Sequence, residues 1–402
     1  MTEKTSLRSQ SVDELFAIDS LLDTEERQIR DTVRKLGNER IRPHLADWFE
    51  EGTVPARELA KELGALGLLG MHLEGYGCAG TSATAYGLAC LELEAMDSGI
   101  RSLVSVQGSL AMFAIWKFGS EDQKQQWLPG MAEGSLIGCF GLTEADFGSN
   151  PGGMLTRAKK DGDDYVINGT KMWITNSPSA DWFCLLAQTS DGKPHMNKSL
   201  IIVPKDAGGI TVDKPLHKLG MRSSETAQVF FDNVRVPQRN LIGQEGMGFM
   251  MQMMQFQEER LFAAANSLMG MQHVIDETIA YAKDRQVFGM PLIDNQTVHF
   301  RLAELQTEVE SLRALTYRAC EMYINGKDVL QLASMAKLKV GRLSREVADG
   351  CLQYWGGNGF MWDNPAGQLY RDGRLGSIGG GADEVMLGII CKTMDILPGK
   401  KK

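Results

Sequence analysis

Apolar residues recur at three- and four-residue steps from about residue 13 to 135, then at alternate positions through a central stretch, then again at helical spacing almost to the end. The first segment predicts helices. Within it, Asp23-Thr24-Glu25-Glu26 and Ser120-Glu121-Asp122-Gln123 have the spacing of capping boxes, and Ile29, Val33 and Leu36 fall on one face after the first. The second segment holds short runs rich in β-branched and aromatic residues at 137–142, 154–160, 165–167, 171–175, 182–189, 199–203 and 228–234. Asn168-Gly169 separates two of these runs and predicts a tight hairpin turn there. Helices are expected again over 247–285, 296–325, 329–355 and 383–397. The chain thus divides into a helical unit (13–135), a β unit (136–245) and a second helical unit (246–398). Strands segregated from helices exclude a doubly wound sheet and define an α+β multidomain class.

Composition narrows the function. The 402 residues carry 43% hydrophobic and 23% charged side chains, the balance of a globular protein with a large core. A net charge of −9, with no basic run before Lys400–Lys402, argues against a nucleic-acid surface. The opening Met1–Arg8 lacks the apolar core of a signal peptide, and no stretch has the roughly 20 apolar residues of a membrane span, so a cytoplasmic protein is expected. Seven scattered cysteines without a CxxC pair suit reduced thiols, and six equally scattered histidines make a metal site unexpected. Gly75-Tyr76-Gly77-Cys78-Ala79-Gly80 fits GxGxxG, but helical pattern precedes it and no second strand follows, so it reads as a loop rather than a dinucleotide fingerprint.

Residues 250–265 stand out chemically. Met250, Met251, Met253, Met254, Phe256, Leu261 and Phe262 recur at mixed helical steps, so this helix is buried on most sides, yet it carries Glu258 and Glu259 beside Arg260. Spacing alone favours a solvated edge on which the carboxylates pair with Arg260 or a neighbouring helix, since Glu is seldom fully buried unpaired, over a catalytic base.

Four further motifs bear on this choice: Gly141-Leu142-Thr143-Glu144-Ala145-Asp146-Phe147-Gly148-Ser149, Lys171-Met172-Trp173-Ile174-Thr175-Asn176, Asp284-Arg285-Gln286-Val287-Phe288-Gly289 and Gln353-Tyr354-Trp355-Gly356-Gly357-Asn358-Gly359. In order and placement they resemble the signatures of FAD-dependent acyl-CoA dehydrogenases. The resemblance implies an N-terminal helical domain, a β-barrel-like middle domain, a C-terminal four-helix bundle and a homotetramer. It implies FAD as cofactor and an electron-transfer flavoprotein as acceptor. It places Leu142, Thr143 and Thr175 at the isoalloxazine ring, Trp173 beside it, and Ser149 toward the pyrophosphate or substrate. Arg285, Phe288, Gln296, Gln353 and Gly357 match positions that hold the adenine and pyrophosphate of a neighbouring subunit's FAD. Asn150 departs from the family's common Asp.

The family's chemistry removes a proton beside a thioester carbonyl while hydride leaves the next carbon for flavin N5. Many members carry the base near the C-terminus, where Gly380 stands here. A minority branch carries it on the earlier helix just before an Arg, which Glu259-Arg260 matches; Glu259 is therefore expected to be the base, Arg260 to lie at the substrate, and Glu258 to be a surface carboxylate. Burial beside a flavin raises such a carboxyl by up to about 3–5 pH units in the extreme case. Asp97-Ser98-Gly99-Ile100-Arg101-Ser102 and Ser105-Val106-Gln107 resemble glutaryl-CoA dehydrogenase, in which residues matching Arg101, Ser105 and Glu94 receive a distal carboxylate, a task suited to the guanidinium fork. Lys218-Leu219-Gly220-Met221-Arg222-Ser223-Ser224 and 379–386 are instead similar to citronellyl-CoA-type enzymes, so the chain reads as a mosaic joined near 160–182. The expected substrate is a branched or medium-to-long acyl-CoA, oxidised to its 2-enoyl-CoA. The alternatives are glutaryl-CoA and, on the same scaffold, a flavin oxidase or a non-catalytic acyl-CoA binder.

Overall fold

The computed structural model describes residue 20 and residues 22–398, apart from the side chains of Gln257 and Glu258. The expectations for Met1–Arg8, Lys400–Lys402 and the exposure of Glu258 lie outside the described residues. Helices α1 (Thr24–Leu36), α2 (Leu45–Glu51), α3 (Ala56–Ala65), α4 (Ala83–Met96), α5 (Ser98–Ser105), α6 (Phe113–Phe118) and α7 (Glu121–Ala132) come first. Both capping boxes form: Asp23 accepts from the Glu26 amide at 2.8 Å and Ser120 from that of Gln123 at 3.2 Å. Such a cap contributes about 1 kcal/mol. The Gly75–Gly80 segment is a loop, closed by the Thr81 amide donating to Met71 O at 2.8 Å. Between α5 and α6 the backbone widens into a π-helical stretch, Val106–Met112, a form that often marks functional sites.

The central sheet holds β1 (Gly138–Gly141), β2 (Arg157–Asp161), β3 (Asp164–Thr175), β4 (Trp182–Gln188), β5 (Lys198–Pro204), β6 (Ile210–Val212), β7 (Thr226–Pro237) and β8 (Leu241–Ile242). Its order is β6-β7-β3-β2-β4-β5-β8, with β1 beside β4. The expected barrel-like closure is therefore wrong: the edge strands β6 and β8 do not pair, and the sheet is open. It folds over enough to bury both faces of β4. Trp182, Cys184 and Leu186 pack toward Leu128 and Met131 of the first helical unit, while Phe183, Leu185 and Ala187 pack with Tyr165, Ile167, Phe231 and Val236. That double burial explains an apolar run without alternation.

Asn168-Gly169 is not a hairpin turn either, because β3 runs straight through it with a bulge. The Asn168 side chain is engaged across the sheet, accepting from the Asn233 amide at 2.9 Å. A Cβ on Gly169 would overlap Thr156, so the glycine serves a close backbone approach.

The last unit contains α8 (Gly248–Asp284), the hairpin β9 (Gln286–Val287) and β10 (Met290–Pro291), α9 (Gln296–Ile324), α10 (Leu330–Trp355), α11 (Pro365–Asp372) and α12 (Asp383–Thr393). Leu268, Met271 and Ile275 of α8 pack with Leu305, Val309 and Leu312 of α9 and Val340, Leu343 and Val347 of α10. Further toward its start, α8 sends Phe262 and Met251 into the two cores of the preceding units. This is why residues 250–265 show no single apolar stripe. No helix among the described residues is long and apolar enough to cross a membrane.

Candidate active site

Three elements bring the candidate residues together. The first is β3. Its ladder to β7 slips between Lys171 and Ile174, and Trp173 sits at φ 58° with its indole 52% exposed. A bulge re-aims a side chain, here an aromatic one that would otherwise be buried or paired. The Met172 amide donates to Thr143 O at 2.8 Å, which places Thr143 and Leu142 beside Trp173, with Thr175 two residues further along the strand. Beneath them, fully buried Lys171 donates to Leu142 O at 2.9 Å and to Glu144 at 3.0 Å. Burial pulls the Lys171 ammonium down to about 8, against the opposing pull of Glu144. Glu144 in turn accepts from the Leu155 and Thr156 amides at 2.6 and 2.9 Å, fixing both ends of the 142–156 segment. Ser149 and Asn150 are exposed within it.

The second element is α5. Asp97 caps it, accepting from the Ile100 amide at 2.9 Å. Arg101 reaches back to Glu94 of α4 at 2.6 Å and forward to Ser105 at 3.0 Å, while Ser98 donates to Glu94 at 2.8 Å. The Arg101 side chain is only 21% exposed. Burial opposes its charge, but Glu94, Cys90 and Glu259 together hold it above the ordinary arginine range. Arg101 is thus a fixed cation. The strand and this helix meet where buried Asn176, next after Thr175, donates to Leu103 O at 3.4 Å.

The third element is α8, which carries Glu259 and Arg260. The charge of Glu259 acts on Tyr86, Cys90 and Arg101, so the carboxylate borders the α4–α5 cluster. Burial lowers Arg260, whose Nε has no hydrogen-bond partner among the described residues. Burial, helped by the Arg260 charge and opposed by Asp383, brings Lys337 down to about 8. Lys337 donates to Gly376 O at 2.7 Å and to Gly381 O, and a Cβ on Gly380 would lie 3.9 Å from its Cε. Gly380 and Arg260 thus both lie close to Lys337.

Sequence reasoning missed the polar groups behind Glu259. Tyr86 stacks on His72 with centroids 4.2 Å apart and hydrogen-bonds Ser109 at 2.5 Å. Burial holds His72 at about 4, hence neutral. Gln255, one turn before Glu259, donates to Leu110 O at 3.2 Å in the π-helical stretch, whose widened turns free such carbonyls. No local pattern signals these contacts.

Arg285, Phe288, Gln296, Gln353 and Gly357 gather elsewhere, all exposed at one end of the bundle. There Tyr281 stacks on Trp355 at 4.2 Å, and Tyr354 donates to Thr297 O at 3.1 Å. Arg285, just past the end of α8, comes 26 positions after Glu259, roughly 39 Å along the helix.

A candidate base, a fixed cation and an exposed aromatic on a bulged strand are the kinds of group expected of the FAD-dependent acyl-CoA dehydrogenase class. Comparisons with known proteins agree with that class. Models of the acyl-CoA dehydrogenase N-terminal, middle and C-terminal domains match residues 23–135, 139–234 and 246–394. The chain belongs to the acyl-CoA dehydrogenase family, and is an FAD-dependent oxidoreductase. The crystal structure of glutaryl-CoA dehydrogenase from Mycobacterium smegmatis shares 41% identity, covers 98% of this chain and 100% of its own, and superposes with a TM-score of 0.92. A second structure of glutaryl-CoA dehydrogenase from that organism, in complex with FADH2, covers 96% and 99% at 41% identity and TM-score 0.90. The rat short-chain specific acyl-CoA dehydrogenase, mitochondrial, is 36% identical over 89% of this chain and 87% of its own length.

Two expectations change with these relatives. Both halves of the chain find counterparts in one glutaryl-CoA dehydrogenase, so no seam between two subfamilies near 160–182 is shown. The expected cytoplasmic location is overturned by the mitochondrial rat relative. A start without an apolar core bears on secretion and does not identify a compartment.

Proposed function

We propose that the protein oxidises a dicarboxylyl-CoA of about glutaryl length to its 2-enoyl-CoA, with Glu259 as base, Arg101 as receptor of the distal carboxylate, and an electron-transfer flavoprotein as acceptor. The observation that carries this reading is Arg101: a nearly buried cation, held by Glu94 and Ser105, on the helix that meets the Trp173–Thr175 strand and lies within the field of Glu259. Glu94 takes the Nε donor and Ser105 the Nη1 donor, and the guanidinium fork has further donors to offer a substrate carboxylate. The likeness to the Mycobacterium smegmatis enzyme supports the same substrate class.

The Trp173 wall and the hydroxyls of Thr143 and Thr175 fit an isoalloxazine ring. FAD, when bound, supplies the acceptor of the hydride. Glu259 takes the proton from the carbon beside the thioester carbonyl, and Arg101 orients the far end of the chain so that the same proton is presented each time. Arg260, the next residue along α8, acts on Lys337 and adds positive charge to the same turn of the helix. A branched or medium-to-long monocarboxylic substrate is the second reading, favoured by Gly380, whose missing side chain leaves room beside Lys337.

The first reading is tested by the ratio of kcat/KM for glutaryl-CoA and pentanoyl-CoA, which differ in the distal carboxylate. It requires the dicarboxylyl substrate to lead by at least about tenfold, the worth of one charge-assisted hydrogen bond. A lead for pentanoyl-CoA would transfer the assignment to the second reading.

The remote cluster around Phe288 suits the FAD of a neighbouring subunit in a homotetramer. Phe288 is fully exposed on a hairpin tip at φ 51°, and Phe360 is 90% exposed at the end of the turn that follows α10. Phe288→Asp is expected to lower the flavin bound per chain and to shift sedimentation toward smaller species. A fully flavinylated tetramer of this variant would remove Phe288 from the cofactor site.

A further inference from the structure

The Met221–Glu225 segment is where all three units of the chain touch. Met221, at φ 49°, donates its amide to Asp372 at the end of α11 at 2.6 Å, and the approach is so close that a Cβ on Gly220 would lie 2.5 Å from the same carboxylate. Arg222 donates to Phe49 O at 2.5 Å and Glu50 O at 2.7 Å in the first unit. Ser223, 1% exposed, donates to Asp97, the carboxylate that caps α5. The Asn176 amide donates to Glu225 O at 2.8 Å, and Thr226 pairs with Thr175 in the sheet. Within six residues the loop therefore holds the cap of the helix bearing Arg101 and the end of the strand bearing Trp173 and Thr175.

We infer that Ser223 is a positioning residue: by holding Asp97 it sets where α5 begins, and thereby where Arg101 stands relative to the Thr175 end of β3. The inference rests on the reading of Arg101 as receptor of the distal carboxylate. Arg101 lies one helical turn from Asp97, so a shift of the cap moves the guanidinium with it. Gly99 shows how tightly the two surfaces meet, because a Cβ there would overlap Ser223 Oγ. Helical geometry would tolerate alanine at 99; the loop would not.

The test uses the holoenzyme variants Ser223→Ala, Gly99→Ala, Asp97→Asn and Arg101→Leu, with kcat and KM measured for glutaryl-CoA and pentanoyl-CoA. Ser223→Ala, which removes the donor, and Gly99→Ala, which pushes the loop away, are each expected to raise KM for glutaryl-CoA about five- to tenfold. The same two variants are expected to leave kcat, and KM for pentanoyl-CoA, within about twofold. Asp97→Asn keeps an accepting oxygen for both Ser223 and the Ile100 amide and is expected to retain discrimination. If one of the first two does not fold, the other reads the same contact from the opposite side. Equal losses on both substrates, or none, in a series where Arg101→Leu does erase discrimination, would overturn the inference alone. If Arg101→Leu leaves discrimination intact, the reading of Arg101 as receptor fails and the inference falls with it.

Discussion

Glu259→Gln is expected to keep FAD and fold but to slow reduction of the flavin by acyl-CoA about 10²- to 10⁴-fold, the usual contribution of a positioned general base. The substitution keeps the shape of the side chain and removes its negative charge and with it the ability to take a proton. No second carboxylate stands at the alternative position, because Gly380 has no side chain to offer. The surroundings of Glu259 suit the role: it shares its field with Arg101, Tyr86 and Cys90 on one side, and its neighbour Arg260 faces Lys337 on the other. Anaerobic stopped-flow mixing of the variant with substrate reads the step directly. A wild-type reduction rate would place the base on another residue.

Arg101→Leu is expected to lower kcat/KM for glutaryl-CoA by about 10²-fold or more, in the range seen when one partner of a buried charge pair is truncated. It would also leave Glu94 with only Ser98, so a loss of roughly 1–3 kcal/mol of stability should accompany it. The double variant Glu94→Gln with Arg101→Leu separates the two effects. Stability should largely return, since the stranded carboxylate is gone, while discrimination for the distal carboxylate should not. Thermal unfolding and steady-state kinetics on the same preparations check both. Restored discrimination without Arg101 would mean that another group receives the carboxylate.

Local signals in the chain were read correctly where the physics is local. The two capping boxes depend on a side chain and an amide three residues away, and both form. Glu94, Arg101 and Ser105 were grouped through the family resemblance, and they hydrogen-bond to one another within one short helix pair. Asn168-Gly169 was misread because its turn preference lost to partners elsewhere: Asn233 across the sheet and Thr156 pressed against the glycine. Sheet closure was not legible, since it depends on whether β6 and β8, of three and two residues, find each other. The Ser223–Asp97 bond joins residues 126 positions apart, and no periodicity encodes it. The methionine-rich start of α8 gave an ambiguous pattern for a definite reason: Met251, Phe262 and Leu268 enter three different cores.

The most direct measurement is an anaerobic titration of the purified yellow holoprotein with glutaryl-CoA, followed at the flavin absorbance. The account predicts bleaching at near-stoichiometric substrate, because Glu259 and Arg101 would hold the two ends of that molecule at once. Flavin left oxidised by glutaryl-CoA, in a sample that pentanoyl-CoA or a branched acyl-CoA does bleach, would contradict it.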